Sequence, residues 1–190
     1  PLVETAPLPE FDPETGELNL ADLAMLLEQN VALVVFPHCS NVVGAINDVA
    51  GIVQLAKAAS ARTCVDGVSY APHGFPDVSA LGCDVYLFSA YKTYGPHQGI
   101  MVIREDWGMA LPNQGHHFNG DTLYYRFTPA GPDHAQVAAS AGMADYFDAM
   151  SLSYPLRLAH CSEKKLQRFC FIYCLPSTNS NDNPSVCFLW

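Results

Sequence analysis

Positive charge is scarce in this 190-residue sequence: 9 Lys and Arg stand against 19 Asp and Glu, a formal net charge of −10. A nucleic-acid surface needs clustered cations, so that class of partner is excluded. Long apolar runs are missing too. No window approaches the ~18 apolar residues of a membrane span, and no basic segment followed by an apolar one opens the chain, so neither a membrane nor a secretory leader is expected. The patterns G-x-x-x-x-G-K-[ST], G-x-G-x-x-G and G-x-S-x-G do not occur, which removes support for nucleotide loops and for a hydrolase nucleophile turn. The 7 cysteines are odd in number and match no disulfide or zinc spacing, a pattern of free thiols in a reducing, cytoplasmic compartment. His116, His117 and His134 have no carboxylate or Cys at ligand spacing, and no metal site is expected.

What is present is an ordinary globular composition, 49% hydrophobic and 11% aromatic, long enough to bury a sizeable core. It is unevenly laid out. Residues 1–150 hold most of the acids, whereas residues 151–190 are slightly basic and contain Cys161, Cys170, Cys174 and Cys187. The division expected is therefore 1–150 and a divergent tail, 151–190. The first residue is Pro1 rather than Met, which suggests a processed or partial product.

Hydrophobic periodicity supplies the elements. Residues 1–17 read as an extended lead-in. Leu18–Leu27 is a short amphipathic helix behind an Asn19 cap, and Val31–Phe36 is a continuous apolar run suited to a strand buried on both faces. A helix from Asn47 or Asp48 to about Ser60 follows. Thr63–Val65, Asp84–Phe88 and Gly99–Ile103 are further strands, Ala135–Met150 is a helix, and a weak helical pattern runs over Glu163–Tyr173. Strands alternating with helices predict an α/β fold with a largely parallel sheet.

Three features fall at the ends of predicted strands, where open α/β sheets bind ligands. They are Ser40-Asn41-Val42-Val43-Gly44, Val65-Asp66-Gly67, and Ser89-Ala90-Tyr91-Lys92-Thr93-Tyr94-Gly95-Pro96. Most lysines are simply solvated. Lys92, however, lies between Tyr91 and Tyr94, and only Lys57 accompanies it in residues 1–150. A desolvated Lys amine condenses with carbonyls. Pyridoxal phosphate would need, besides that amine, an acid for its ring nitrogen, donors for its phosphate and a polar partner for its 3-oxygen. Asp66, Ser89 and Asn41 are the right chemical types.

The stretch HCSNVVGAINDV…VDGVSYAPHGFPDVSALGCDVYLFSAYKTYGPHQG resembles the core of the class V aminotransferase family, and within it cysteine-desulfurase-like proteins. Four motifs stand in the family's order: SNxxG, VDG, APH…DV, and S-x-x-K followed by GPxxG. The resemblance covers about Phe11 to Met150. It implies a pyridoxal-phosphate-dependent, aspartate-aminotransferase-like large domain, α/β, with a mostly parallel sheet flanked by helices and incomplete. It further implies pyridoxal 5'-phosphate as cofactor, a small-molecule amino acid as substrate, most closely cysteine giving up its sulfur, and a homodimer. By the same resemblance Lys92 would carry the cofactor as a Schiff base and act as catalytic base. Asp66 would pair with the ring nitrogen, Ser89 and Tyr91 would serve the phosphate, and Asn41 would lie beside the ring oxygen or substrate carboxylate. His73 matches the APH histidine, with a structural loop histidine as the alternative. Ser40 and Gly44 would shape their turn.

Several positions depart from the pattern. Ser69 stands where family members carry Gln or His beside the cofactor, and Ala130-Gly131 replaces a Gly-Thr whose threonine reaches a neighbouring subunit. The N-terminal phosphate loop and the small domain with its Arg and nucleophilic Cys have no counterpart, and Arg157…His160-Cys161 falls too early to supply them. These departures imply an alternative: a non-catalytic or truncated remnant of the fold.

Overall fold

The computed structural model describes residues 9–10, 12–128, 131–153, 171–172 and 186–188. The chain divides into two units, the first comprising Pro1–Tyr70, Val78–Tyr86 and Ser177–Trp190, the second Ala71–Asp77 and Leu87–Pro176.

In the first unit, side-chain caps start the helices. The Asn19 carboxamide accepts from the amides of Ala21 and Asp22 and opens α1 (Leu20–Leu27), which buries Leu23 and Leu27, one turn apart. Asp48 accepts from Gly51 N and opens α2 (Val49–Ala58), which buries Val49, Ile52, Val53 and Ala56 along one stripe. That helix ends with Ser60 left-handed and the Ala61 amide bonded back to Ala56 O, a closure that satisfies the last carbonyls. The strands β1 (Leu33–Pro37) and β2 (Arg62–Asp66) pair in parallel, Leu33 opposite Arg62 and Pro37 opposite Asp66. With α3 (Val78–Leu81) and the start of β3 (Val85–Ser89), the hydrogen-bonded order is β3-β2-β1-β6, where β6 (Val186–Phe188) is parallel to β1. Leu23, Phe36, Ile52 and Val65 are all at most 1% exposed, and each contributes roughly 1.5–3 kcal/mol by leaving water.

The second unit contains the end of β3, followed by β4 (Gly99–Ile103) and β5 (Phe171–Ile172), in the order β5-β4-β3, with β4 and β5 antiparallel. Its helices are α4 (Glu105–Ala110), α5 (Leu123–Phe127), α6 (His134–Ala139) and α7 (Gly142–Ser153). The result is the expected mostly parallel sheet with flanking helices.

Four local expectations are corrected. The lead-in is not uniformly extended: the Asp12 carboxylate accepts from the amides of Glu14 and Thr15 and folds residues 12–17 into a turn. The β1 run is not sealed on both faces, since Val34 and Phe36 are buried while Leu33, Val35 and Pro37 are half-buried. The helix expected over Ala135–Met150 is two helices, because Ser140 Oγ turns to Gln136 O and Gln98 Oε1 where α6 ends. Phe171 and Ile172, the end of the tail's weak helical pattern, lie in β5; extended pairing along β4 prevails there over a weak local pattern. The rest of that pattern, Ala130 and the Arg157–Cys161 segment lie outside the described residues.

Candidate functional site

The parallel strands of the first unit end side by side. Pro37 closes β1 opposite Asp66, which closes β2, and the His38 amide donates to Asp66 O at 2.7 Å. From this edge two loops depart. The loop after β1 is a tight turn: Ser40 Oγ accepts from the amides of Val42 and Val43, Gly44 N bonds to Ser40 O, and Gly44 takes a left-handed φ of 72°. Ser40 and Gly44 thus shape the turn, as expected, and Asn41 is exposed at its tip. The loop after β2 is held by Asp66 itself, whose Oδ1 accepts from Val68 N at 2.8 Å. Among the described residues Oδ2 accepts no hydrogen bond. Ser69, half-buried, lies in the same turn, closed by Tyr70 N donating to Gly67 O.

Sequence reasoning passed over the residues packed against this turn. His38 is buried, its Nδ1 2.8 Å from Tyr86 Oη, and its ring stacks on Tyr70 with centroids 3.5 Å apart and planes 13° from parallel. Burial pulls the His38 pKa down to about 4, so the ring is neutral at ordinary pH. Burial likewise raises that of Tyr86, with Cys83, Tyr70, Asp66 and Cys39 pushing the same way, so the phenol keeps its proton. Cys83, buried close by in sequence, is pushed up to about 12 chiefly by desolvation and is an unreactive thiol. Gly67 has no room for a side chain: a Cβ there would lie 2.1 Å from the Tyr86 ring. The available signals were a histidine directly after an apolar strand and a tyrosine inside another.

The second unit carries the other candidates. Ser89 closes β3 and stands at the start of a 3-10 turn, Ala90–Thr93, yet its side chain makes no capping hydrogen bond, which leaves the hydroxyl for another partner. Three residues per turn bring Ala90 and Thr93 inward, where both are buried, so Tyr91 and Lys92 point out and are exposed. Lys92 is therefore not desolvated by its tyrosines. The turn is fixed by Thr93 Oγ1 donating to Ser89 O and by Gly95 N donating to Ala90 O. Tyr94 adopts a left-handed φ of 62°, and Gly95 lets α7 approach, since a Cβ there would lie 2.2 Å from Met143 Sδ. Tyr91 stacks on His97 at 4.4 Å. His73 is exposed in the loop 71–77, which Phe75 anchors through edge contacts with Phe88 and Phe147. Thus Asp66 and Ser69 share one turn, with the loop bearing Asn41 starting beside it; Ser89, Tyr91 and Lys92 share another, and His73 lies in the loop 71–77. Among the described residues no group of three or more His, Cys, Asp or Glu could hold a metal ion, and no helix is long and apolar enough to cross a membrane.

Comparison with known proteins carries this further. Aminotransferase-like protein FGM3 of Gibberella zeae is 40% identical over 141 residues, 73% of this chain and 33% of that protein. A cysteine desulfurase of Yersinia pseudotuberculosis is 46% identical over 89 residues, 47% of this chain and 22% of that enzyme. This chain therefore spans a third or less of either curated relative. The solved apo cysteine desulfurase of Thermococcus onnurineus NA1 matches with a TM-score of 0.65 at 24% identity, over 75% of this chain and 38% of that one, and shows the fold to be that of the aspartate-aminotransferase-like large domain, in part. The Aminotransferase class-V family model matches residues 8–187. With that match spanning both units and their strand-end turns, the chain belongs to the class-V aminotransferase family.

Proposed function

We propose that this chain is a pyridoxal-phosphate-binding large domain serving the transformation of an amino acid, most closely a cysteine desulfurase reaction. The observation that carries the reading is the strand-end placement of its donors: Asp66 closes β2 with one carboxylate oxygen fixed by Val68 N, and Ser89 closes β3 with its hydroxyl uncommitted by a cap. The residues fit the cofactor chemically. An anchored carboxylate suits a protonated ring nitrogen, an uncommitted hydroxyl suits a phosphate oxygen, and the Lys92 amine, though not desolvated by its tyrosines, is accessible to an aldehyde.

Bound pyridoxal phosphate supplies an electron sink for charge that develops at the substrate α-carbon. This chain's own groups would do the rest. Asp66 would hold the proton on the ring nitrogen, and Ser89 Oγ and Tyr91 Oη would donate to the phosphate. Asn41 would orient the ring oxygen or the substrate carboxylate. Lys92 Nζ, once displaced by the substrate amine, would take the α-proton and return it. His73 would border the site from its loop. A homodimer follows the family resemblance.

A second reading, a remnant without turnover, draws on Ser69. Its hydroxymethyl is shorter than the Gln or His that the family pattern carries there, and it is only half-buried in the Asp66 turn. One experiment separates the readings. Added pyridoxal phosphate should give a visible absorption band that Lys92→Ala abolishes, and cysteine supplied with excess dithiothreitol, which accepts the sulfur and reduces it, should then yield alanine and sulfide. A band without sulfide supports the second reading, and no band overturns the first.

A further inference from the structure

We infer that His38 and Tyr86 are positioning residues for Asp66: a buried, hydrogen-bonded pair that sets the direction of the carboxylate. This rests on the proposed role of Asp66 toward a protonated ring nitrogen. Three contacts lead to it. The His38 amide fixes the Asp66 carbonyl, and the stack of His38 on Tyr70 fixes the far end of the 66–70 turn. The Tyr86 ring lies against Gly67, the residue after the acid, so closely that no side chain fits between. His38 Nδ1 and Tyr86 Oη join these contacts into one unit, 48 residues apart in sequence.

The chemistry of the pair also needs a reason. His38 is 6% exposed and Tyr86 is fully buried. Burying an imidazole and a phenol costs free energy that Leu and Phe in the same places would not, and such a pair is tolerable only when satisfied and held in one geometry. Holding two strands together does not require it. Holding the turn that carries Asp66 in one orientation does, because a directional hydrogen bond and ring contacts fix a geometry that apolar packing alone would not. Titratable groups near Tyr86 include His38, hydrogen-bonded to its hydroxyl, and Cys83, Tyr70, Asp66 and Cys39, and of these Asp66 is the one that the proposed function uses.

Tyr86→Phe keeps the ring against Gly67 and removes only the hydroxyl. In the full chain without cofactor, exchange of the Val68 amide, which is bonded to Asp66 Oδ1, should quicken about five- to tenfold. In the chain loaded with pyridoxal phosphate, the pH midpoint of the visible band should move by about half a unit or more. As single substitutions in the parent chain, His38→Asn, whose carboxamide can still reach Tyr86 Oη, should leave both near the parent values, whereas His38→Leu should shift both as Tyr86→Phe does. Unchanged Val68 exchange in Tyr86→Phe overturns the inference whether or not cofactor binds. Faster exchange with an unmoved midpoint also overturns it, because the pair would then hold the turn without setting the carboxylate. A parent chain that forms no band overturns the proposed function instead, and the exchange comparison still decides whether the pair orders Asp66.

Discussion

Acid should destabilise the first unit through His38 in a defined window. Its folded pKa is about 4 against an ordinary value of 6.5. A lowered histidine pKa means that the folded state resists protonation more than the unfolded chain does. Above about pH 6.5 both states are neutral and the group contributes no pH dependence; as pH falls the unfolded chain takes up the proton first and stability drops, until both states are protonated below about pH 4. The difference of roughly 2.5 units corresponds to about 3 kcal/mol in full, and about 2 kcal/mol of it is lost by about pH 5. Carboxylates titrate in the lower part of this window, so the informative quantity is a difference. Urea unfolding of the parent and of His38→Asn at several pH values should show the parent losing more stability between about pH 6.5 and 4.5. Parallel curves for the two proteins, or a His38 ring signal that titrates near its ordinary value, would refute the assignment of His38 as a desolvated neutral ring.

Gly67→Ala should be among the most damaging small substitutions. The new Cβ would sit 2.1 Å from a fully buried Tyr86 ring where ordinary contact begins at 3.4 Å, so about 3 kcal/mol of destabilisation is expected, or roughly 6–12 °C in Tm for a chain of this size. A Tm within a degree of the parent would contradict that packing, and the double variant with Tyr86→Leu should lose less than the two single losses combined. Asp84→Ala should be comparably severe, because the buried carboxylate accepts from Arg62 Nη1, Thr63 N and Thr63 Oγ1; roughly 2–4 kcal/mol is expected in denaturant midpoints, with Asp84→Asn retaining part of it. Equal stability of Asp84→Ala and the parent would show that this network contributes little.

Legibility of the fold and site followed the range of the interactions involved. The Asn19 cap, the cap at Asn47 or Asp48 and the strand cores depend on neighbours a few residues away, so periodicity and cap chemistry located them, and the family motif pointed to the Ser40–Gly44 turn. Boundaries slipped by a residue or two where pairing decided them: β2 extends to Asp66 because Pro37 stands opposite to pair with it. The break between α6 and α7 depends on Ser140 reaching Gln98, 42 residues earlier, and no local pattern encodes that. The candidate ligands were readable because strand-end acids, amines and hydroxyls in family order are a one-dimensional signal. His38, Tyr70 and Tyr86 were not, since their meeting is a product of the strands pairing. The exposure of Lys92 was missed for a similar reason. Flanking tyrosines suggested burial, but a 3-10 turn with Ala90 and Thr93 inward turns Tyr91 and Lys92 outward together.

The claim that Lys92 is the cofactor-bearing residue has a direct test. The chain contains four lysines, Lys57, Lys92, Lys164 and Lys165. Incubation with pyridoxal phosphate, reduction with borohydride and peptide mapping by mass spectrometry locate any pyridoxyl group on one of them. Modification concentrated on Lys92 and suppressed in Asp66→Ala is the result expected. Modification spread over all four lysines, or unaffected by loss of Asp66, would contradict it.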